Sequence, residues 1–371
     1  MLEEKMKHGL LVTSPISDHK NIGDYIQSLA ALQFTEKVDV YLEKEEISRD
    51  INNAGRVKAI MNAWYIWHPE NWPPNKKIVP LLTSIHISPL TAEAMVKGDK
   101  INYLIENGPV GCRDLATFDF LKSKDVPSYF SGCLTLTLGK KYGADDEGEG
   151  IVFVDPYVSP LRVKAEGRFI YNFINPFKAM IYFLKSPATI LKLSKKLYFR
   201  GRLRLMKYYN SAMFYNAYKK KFTKDALLSA KFVTHMVGVK GDELQEDLLG
   251  KAEDLVRIYS KAGLVVTSRI HCALPCLGLE TPVIFVLNEQ MKSEKNLFNA
   301  PGRFGGITDF FRTMTYSTDR LMSNDDVLSN FKLIDSKTRF TNKSNFFEYR
   351  DNLARQCEEF MADSPQSSVN D

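Results

Sequence analysis

The sequence predicts an α/β protein of two doubly wound units facing a cleft, and three observations predict it. Short apolar runs recur along the 371 residues, several of them separated by stretches with helical apolar spacing. A composition of 44% hydrophobic, 12% aromatic and 25% charged residues is that of a folded chain long enough for two cores. A polar, glycine-rich break from Gly139 to Gly150 divides the apolar runs into two groups, as a linker between domains should.

Taken in order, residues 9–13 read as a buried strand. Asn21 to Gln33 reads as a helix with Ile22, Ile26, Leu29 and Ala30 on one face. Further strands are expected at Val38–Leu42, Ala59–Ala63 and Leu81–Ile87, a helix over 115–123, and a strand over Ser128–Thr137. Beyond the break, strands are expected from Ile151, over Lys231–Val237, from Leu264 and from Pro282. Glu243–Ala262 has helical spacing that Gly250 could split in two, and His271–Leu277 reads as a short helix. The expected division is a domain over 1–145, a second over 150–325 with a basic helical insertion at about 162–224, and a helical tail over 326–371. Ligands of open α/β sheets bind beyond the carboxyl ends of the strands, so strand ends are where chemistry should sit.

Composition also narrows the setting. Five cysteines at scattered spacings suit neither a disulfide scaffold nor a zinc site, and read as reduced thiols. The N-terminus is short and charged with no apolar stretch after it, and no run approaches the roughly 20 apolar residues of a spanning helix. A cytoplasmic location is expected. From Arg162 to Lys221 the chain carries about 15 lysines and arginines, many aromatic residues and one acid, Glu166. This segment is expected to dock peripherally on an anionic membrane surface at the inner face of the membrane. A helical subdomain with a solvated basic face is the plainer alternative. Nucleic acid is not an expected partner, for no helix-turn-helix, RNA-recognition or zinc-finger pattern is present.

The residues suited to chemistry lie at expected strand ends. Arg269 and His271, in Thr267-Ser-Arg-Ile-His, follow an apolar strand and open a helix, where free N–H groups and a guanidinium attract an anion and an imidazole can move a proton. Asn21, Gly23 and Asp24 hold the corresponding position in the first half, as helix cap or as ligand contacts. Arg113 and Asp114 open the helix at 115, Asp114 as its cap and Arg113 as an anion contact or as its ion-pair partner. His235 follows a strand and faces either the cleft or the core, and Arg303 sits in a glycine-rich loop that could close over a ligand. Trp64, His68 and Trp72 belong to a proline-rich loop that could stack on a sugar ring, although burial is the commoner fate of such tryptophans. No Walker A, HExxH, GxSxG or Asp-x-Asp sequence occurs.

Together, Asn21-Ile-Gly-Asp, Gly111-Cys-Arg-Asp, Ser131-Gly-Cys-Leu-Thr-Leu-Thr, Thr267-Ser-Arg-Ile-His-Cys-Ala-Leu-Pro, Thr281-Pro-Val-Ile-Phe-Val and Arg303-Phe-Gly-Gly resemble, in this order, the polysaccharide pyruvyl transferase family. The resemblance covers roughly residues 9–315. It implies two Rossmann-like domains arranged as in the GT-B glycosyltransferases, phosphoenolpyruvate as donor, and a sugar hydroxyl pair as acceptor. It also implies a product bearing a cyclic pyruvate ketal, made for exopolysaccharide or capsule on an acceptor that could be lipid-linked. On this reading Arg269, Arg113, Arg303, Asn21 and Gly23 hold the donor, and Trp64, His68 and Trp72 the acceptor. His271 is the proton donor, with His235 or Asp24 taking the hydroxyl proton. No cofactor or metal is called for beyond the co-substrate. Two positions depart from the family pattern. Ala63 stands in place of the glycine of Asn-Gly-Trp, and Glu280 stands where a glycine usually precedes Thr-Pro-Val, which would add a negative charge to the anion site if it faced inward. The competing expectations are a GT-B glycosyltransferase using a nucleotide sugar and a non-catalytic glycan-binding subunit.

Overall fold

The structure is a computed structural model that describes residues 6–13, 19–51, 55–65, 67–144, 146–158, 171–197, 205–238, 243–288, 304–317, 319–323 and 325–362. The chain opens with β1 (Lys7–Val12), the short β2 (His19–Asn21), α1 (Gly23–Leu32), β3 (Val40–Glu43) and β4 (Val57–Ile60). Next come β5 (Trp64–Tyr65), β6 (Ile78–Leu81), β7 (His86–Ile87), α2 (Ala92–Met95), α3 (Lys100–Glu106), β8 (Val110–Cys112), α4 (Leu115–Lys122), β9 (Ser128–Phe130) and α5 (Gly139–Tyr142). Four of these strands make a parallel sheet in the order β3-β1-β4-β6.

The second half starts with β10 (Glu149–Val154), followed by α6 (Tyr171–Lys185), α7 (Pro187–Leu193), α8 (Met206–Tyr218) and α9 (Lys224–Ser229). Then come β11 (Lys231–Val233), β12 (Met236–Gly238), α10 (Gln245–Ser260), β13 (Ala262–Thr267), α11 (Ile270–Gly278) and β14 (Val283–Asn288). The last elements are β15 (Arg312–Ser317), β16 (Arg320–Ser323), α12 (Asp326–Ser329) and α13 (Phe347–Ala362). Here the sheet order is β11-β10-β13-β14-β15-β16, parallel throughout except for β16 against β15. The result is a mixed α/β fold with parallel sheets, the class that the alternation of apolar runs predicts.

Strand sequences show why. In β10, Ile151 and Phe153 enter one core while Val152 and Val154 enter another, so the strand reads as an unbroken apolar run because both faces are buried. The largest core draws Leu10 and Val12 from the first sheet and Val152, Val265 and Phe285 from the second, with residues of α1, α10 and α11 among them. That shared core, together with the antiparallel ribbon of β2 on β12, joins the two halves. Helix α13 returns to the first half, where Tyr129 Oη–H donates to Gln356 Oε1 at 2.7 Å and Lys58 Nζ donates to the Phe360 carbonyl at 2.7 Å.

Four elements differ from expectation. Lys231–Val237 breaks at Thr234-His235 into β11 of the second sheet and β12 of the ribbon with β2. Ser128–Thr137 is a strand only to Phe130, because Gly132 takes a positive φ of 70° and turns the chain into a 3-10 turn at Leu134–Thr137. Leu81–Ile87 breaks at Ser84, also at positive φ (53°), into the end of β6 and the separate β7. Gly250 does not split its helix: α10 runs unbroken from Gln245 to Ser260, its apolar face buried deeply enough to offset a glycine that costs about 1 kcal/mol. The basic segment holds α6, α7 and α8, while 159–170 and 198–204 lie outside the described residues. Among the described residues no helix is long and apolar enough to cross a membrane. All five cysteines are free and buried.

Candidate active site

In the second sheet the chain passes from β10 to β11 on one side and later to β13 on the other, so the β10/β13 boundary is a topological switch point. Asp155 ends β10, and Thr267-Ser268-Arg269 ends β13. Asp155 has a positive φ of 42°, unusual for a side chain with a Cβ, and its bonds account for the conformation. Its Oδ2 accepts from Arg269 Nε at 2.9 Å and from the His235 backbone N–H at 3.0 Å, and its carbonyl accepts from Ser268 Oγ at 2.7 Å. The Arg269 side chain is 41% exposed, and among the described residues its two terminal nitrogens make no bond. They remain for a ligand. Arg269 also stands at the N-terminal end of α11, whose first backbone N–H groups favour negative charge.

Helix α1 brings its own N-terminal end to the same place. The Ile22 N–H donates to the His235 carbonyl at 2.8 Å, and Met236 pairs with Asn21 across the β2–β12 ribbon. A Cβ placed on Gly23 would lie 3.0 Å from His235 Nδ1, 3.2 Å from Asn21 Oδ1 and 3.3 Å from the His271 Cβ. Two helix starts and two histidines therefore meet around a glycine, and Arg269 is tied to the same histidine backbone through Asp155. His235 and His271 are both buried. His235 Nε2 lies 2.8 Å from the hydroxyl of Tyr259, a fully buried residue whose phenol is held protonated by burial, so the imidazole is fixed on the side away from Gly23.

Other candidates fall elsewhere. Asn21 lies one residue before Ile22, the N-cap of α1, and its Oδ1 accepts from the Gly23 N–H at 3.3 Å. Asp24, one residue past Gly23, is half-buried and lines a cavity of ≈ 10 Å³ with Thr13, Lys44 and Asn62, just past the ends of β1, β3 and β4, room for about one water. Arg113 is wholly buried with its guanidinium 3.5 Å from Asp114 Oδ2, and Asp114 caps α4 through Thr117. The next residue, Leu115, donates its N–H to Gly305 at 3.1 Å, but Arg303 itself lies outside the described residues. In the proline-rich loop, Trp72 and His68 take different places. Trp72 is core, edge-on to Tyr65 at 5.1 Å and to Tyr103 at 5.6 Å, because an apolar pocket beneath the loop takes the indole. His68 is exposed and bonded to Glu70 at 2.8 Å, which raises its pKa, and Trp64 lies in β5. Glu280 does not add charge to the anion site. It follows the carboxyl end of α11, away from Arg269, and accepts from Arg350 Nη1 at 3.0 Å. It does so at φ 59°, a backbone conformation in which glycine is the unstrained choice.

Sequence reasoning missed Asp155 and Tyr259. An aspartate closing the apolar run Ile151-Val-Phe-Val was a signal available for the first. For Tyr259, inside a helix, no local signal exists.

Paired helix starts and a half-exposed arginine at a switch point make a place suited to an anion in this α/β fold. The family model for polysaccharide pyruvyl transferase matches residues 21–290, and the chain belongs to that family of transferases acting on polysaccharide. The match begins at Asn21 of this site and includes Arg113, His235, Arg269 and His271. Neither a curated protein nor a solved structure matches the chain.

Proposed function

We propose that the chain transfers the pyruvyl group of phosphoenolpyruvate to two hydroxyls of a saccharide, forming a cyclic ketal, in the assembly of a bacterial surface or capsular polysaccharide. The observation that carries this reading is the meeting of His235 and His271 around Gly23 at the starts of α1 and α11, with Arg269 joined to the His235 backbone through Asp155. A donor bearing both a carboxylate and a phosphate needs cations and N–H groups of this kind. On this reading the two sheets are two Rossmann-like domains, 1–145 and 150–325, with the donor between them, and no metal or further cofactor takes part.

His271 protonates the methylene carbon of the donor, and one sugar hydroxyl adds to the oxocarbenium-like carbon that results. Phosphate then leaves, the second hydroxyl closes the ring, and of the two hydroxyl protons one balances the new methyl group and one leaves with phosphate. His235 is the better placed base, since its Nδ1 faces Gly23 whereas Asp24 faces the first sheet. When Nε2–H donates to the Tyr259 oxygen, Nδ1 is the acceptor nitrogen of the ring.

The test is phosphate release from phosphoenolpyruvate with lipid-linked galactose, mannose and glucose acceptors, for the wild type and for His271→Ala. Acceptor-dependent release lost in the variant, with the mass gain of a pyruvate ketal, is expected. Failure of phosphoenolpyruvate to bind at all, with binding of a nucleotide sugar instead, would replace this reading by a glycosyltransferase.

A further inference from the structure

The outer face of α6 breaks the rule that a surface helix turns polar residues to water. Its inner face is conventional: Asn175 and Ala179 are buried, and half-buried Tyr182 and Phe183 border a small core with Tyr209, Ala212 and Met213 of α8. On the other side Ile174, Phe177, Met180 and Leu184 are 36–69% exposed. At helical spacing these four share a stripe about a third of the circumference wide. Leu191 of α7 is also exposed.

Charge around the stripe has one sign. From Ile174 to Leu197 the sequence holds Lys178, Lys185, Lys192, Lys195 and Lys196 and no carboxylate. Among the described residues, only Lys178 of these five has a carboxylate partner, Asp319 at 2.8 Å. Lys185, next to Leu184, lies close enough to Lys219 that, after burial, its charge and that of Lys220 are what lower the Lys219 pKa. Exposed apolar side chains in a segment rich in lysine and without a carboxylate of its own suit an anionic interface in which the apolar groups enter the acyl boundary and the ammonium groups meet lipid phosphates. At 15 residues α6 is too short to span, so it would lie in the plane of the surface. A second copy of the chain fits less well, because a two-fold contact over this face would bring the lysine clusters toward each other.

We propose that the Ile174–Leu184 face of α6, with the lysines of α6, α7 and α8 around it, docks the enzyme on a membrane surface of anionic lipid. It deepens the reading of the acceptor as lipid-linked, for docking would hold the site near an acceptor at the headgroup level. Its test does not depend on that reading.

The experiment is co-sedimentation of the full chain with vesicles of phosphatidylcholine alone and of phosphatidylcholine mixed with phosphatidylglycerol, at low and high salt. Binding is expected only to the anionic vesicles and should weaken with salt. Leu184→Glu and Phe177→Glu should each reduce it roughly tenfold, and Lys185→Gln about fivefold. Because these positions are exposed, thermal melting should be unchanged, and so should turnover of a water-soluble acceptor, which separates failure of docking from failure of the catalytic reading. Equal binding to neutral vesicles, or binding to neither, would overturn the proposal. So would wild-type binding by the glutamate variants. If the wild type instead sediments as a dimer that Leu184→Glu dissociates, with no vesicle binding, the face belongs to a second copy of the chain.

Discussion

Two arginines in this molecule share one local arrangement and end in opposite environments. Arg113 follows β8 and precedes α4, Arg269 follows β13 and precedes α11, and each has an aspartate within ion-pair distance. At Arg113 the aspartate is consumed by other partners: Asp114 takes His86 Nδ1 at 2.5 Å on one oxygen and the Thr117 N–H and hydroxyl, each at 3.0 Å, on the other. The whole group is sealed, and the guanidinium is left 3.5 Å from its nearest carboxylate. At Arg269 the aspartate comes from another strand, grips Nε alone, and leaves the terminal nitrogens open. A strand–arginine–helix segment thus specifies a place for an anion, and burial decides whether the fold or a ligand uses it.

The largest effect should come from opening the difference at its exposed end. Arg269→Ala removes a cation from the site without disturbing a core, so acceptor-dependent phosphate release should fall about 10²–10³-fold while the melting temperature stays within a degree or so. Steady-state kinetics with a melting curve checks this, and a large loss of stability would mean that Arg269 is a second latch. Asp114→Ala should behave in the opposite way. It strips the partner from buried His86 and Arg113 and should cost about 3 kcal/mol of stability, read by denaturant titration.

That contrast has a pH signature. Burial pushes the Asp114 carboxyl up, but the charge and hydrogen bond of His86, with Arg113 and the Thr117 N–H, outweigh it and hold the pKa below its ordinary value. A lowered folded-state pKa means the stabilisation is complete above the unfolded value of about 3.9 and is lost as pH falls through the folded one. The wild type should therefore lose stability below about pH 4 more steeply than Asp114→Ala does.

How far this could be read from the chain follows the range of the interactions. Strands buried on both faces, such as β10, β13 and β14, declare themselves as apolar runs, and Asp114 declares itself as a cap three residues before Thr117. Arg269 and His271 were legible because a strand end and a helix start are local events. Asp155 was not, since its contacts reach across to residues 235 and 269 in other strands. Tyr259 reads as one more apolar position of α10 until the fold lays His235 beside it. Trp72 shows the converse: its sequence context suits a sugar platform, and only the packing of Tyr65 and Tyr103 around it shows an indole committed to the core.

Glycine offers the finest discrimination between the two regions. Gly23 begins a helix, so Ala there should add helix propensity worth up to about 1 kcal/mol, yet its Cβ would come 3.0 Å from His235 Nδ1. His235 cannot easily retreat, because its backbone N–H is held by Asp155 and its Nε2 by Tyr259. The crowding must then be relieved by displacing the ring a few tenths of an ångström or by shifting the start of α1. Either change misaligns a proton-transfer group, for which about a tenfold loss of turnover is expected, with stability nearly unchanged. Gly111, beside the sealed cluster, gives the counterpart. An added Cβ would lie 2.9 Å from Tyr129 Oη and 3.1 Å from the Cα of Thr83, and a backbone neighbour has little room to yield. Gly111→Ala should therefore lose about 1–3 kcal/mol of stability and keep its turnover per folded molecule. Kinetics and denaturant melts on the two variants read both quantities, and turnover falling with stability in Gly23→Ala would place Gly23 in the packing of α1 rather than in the site.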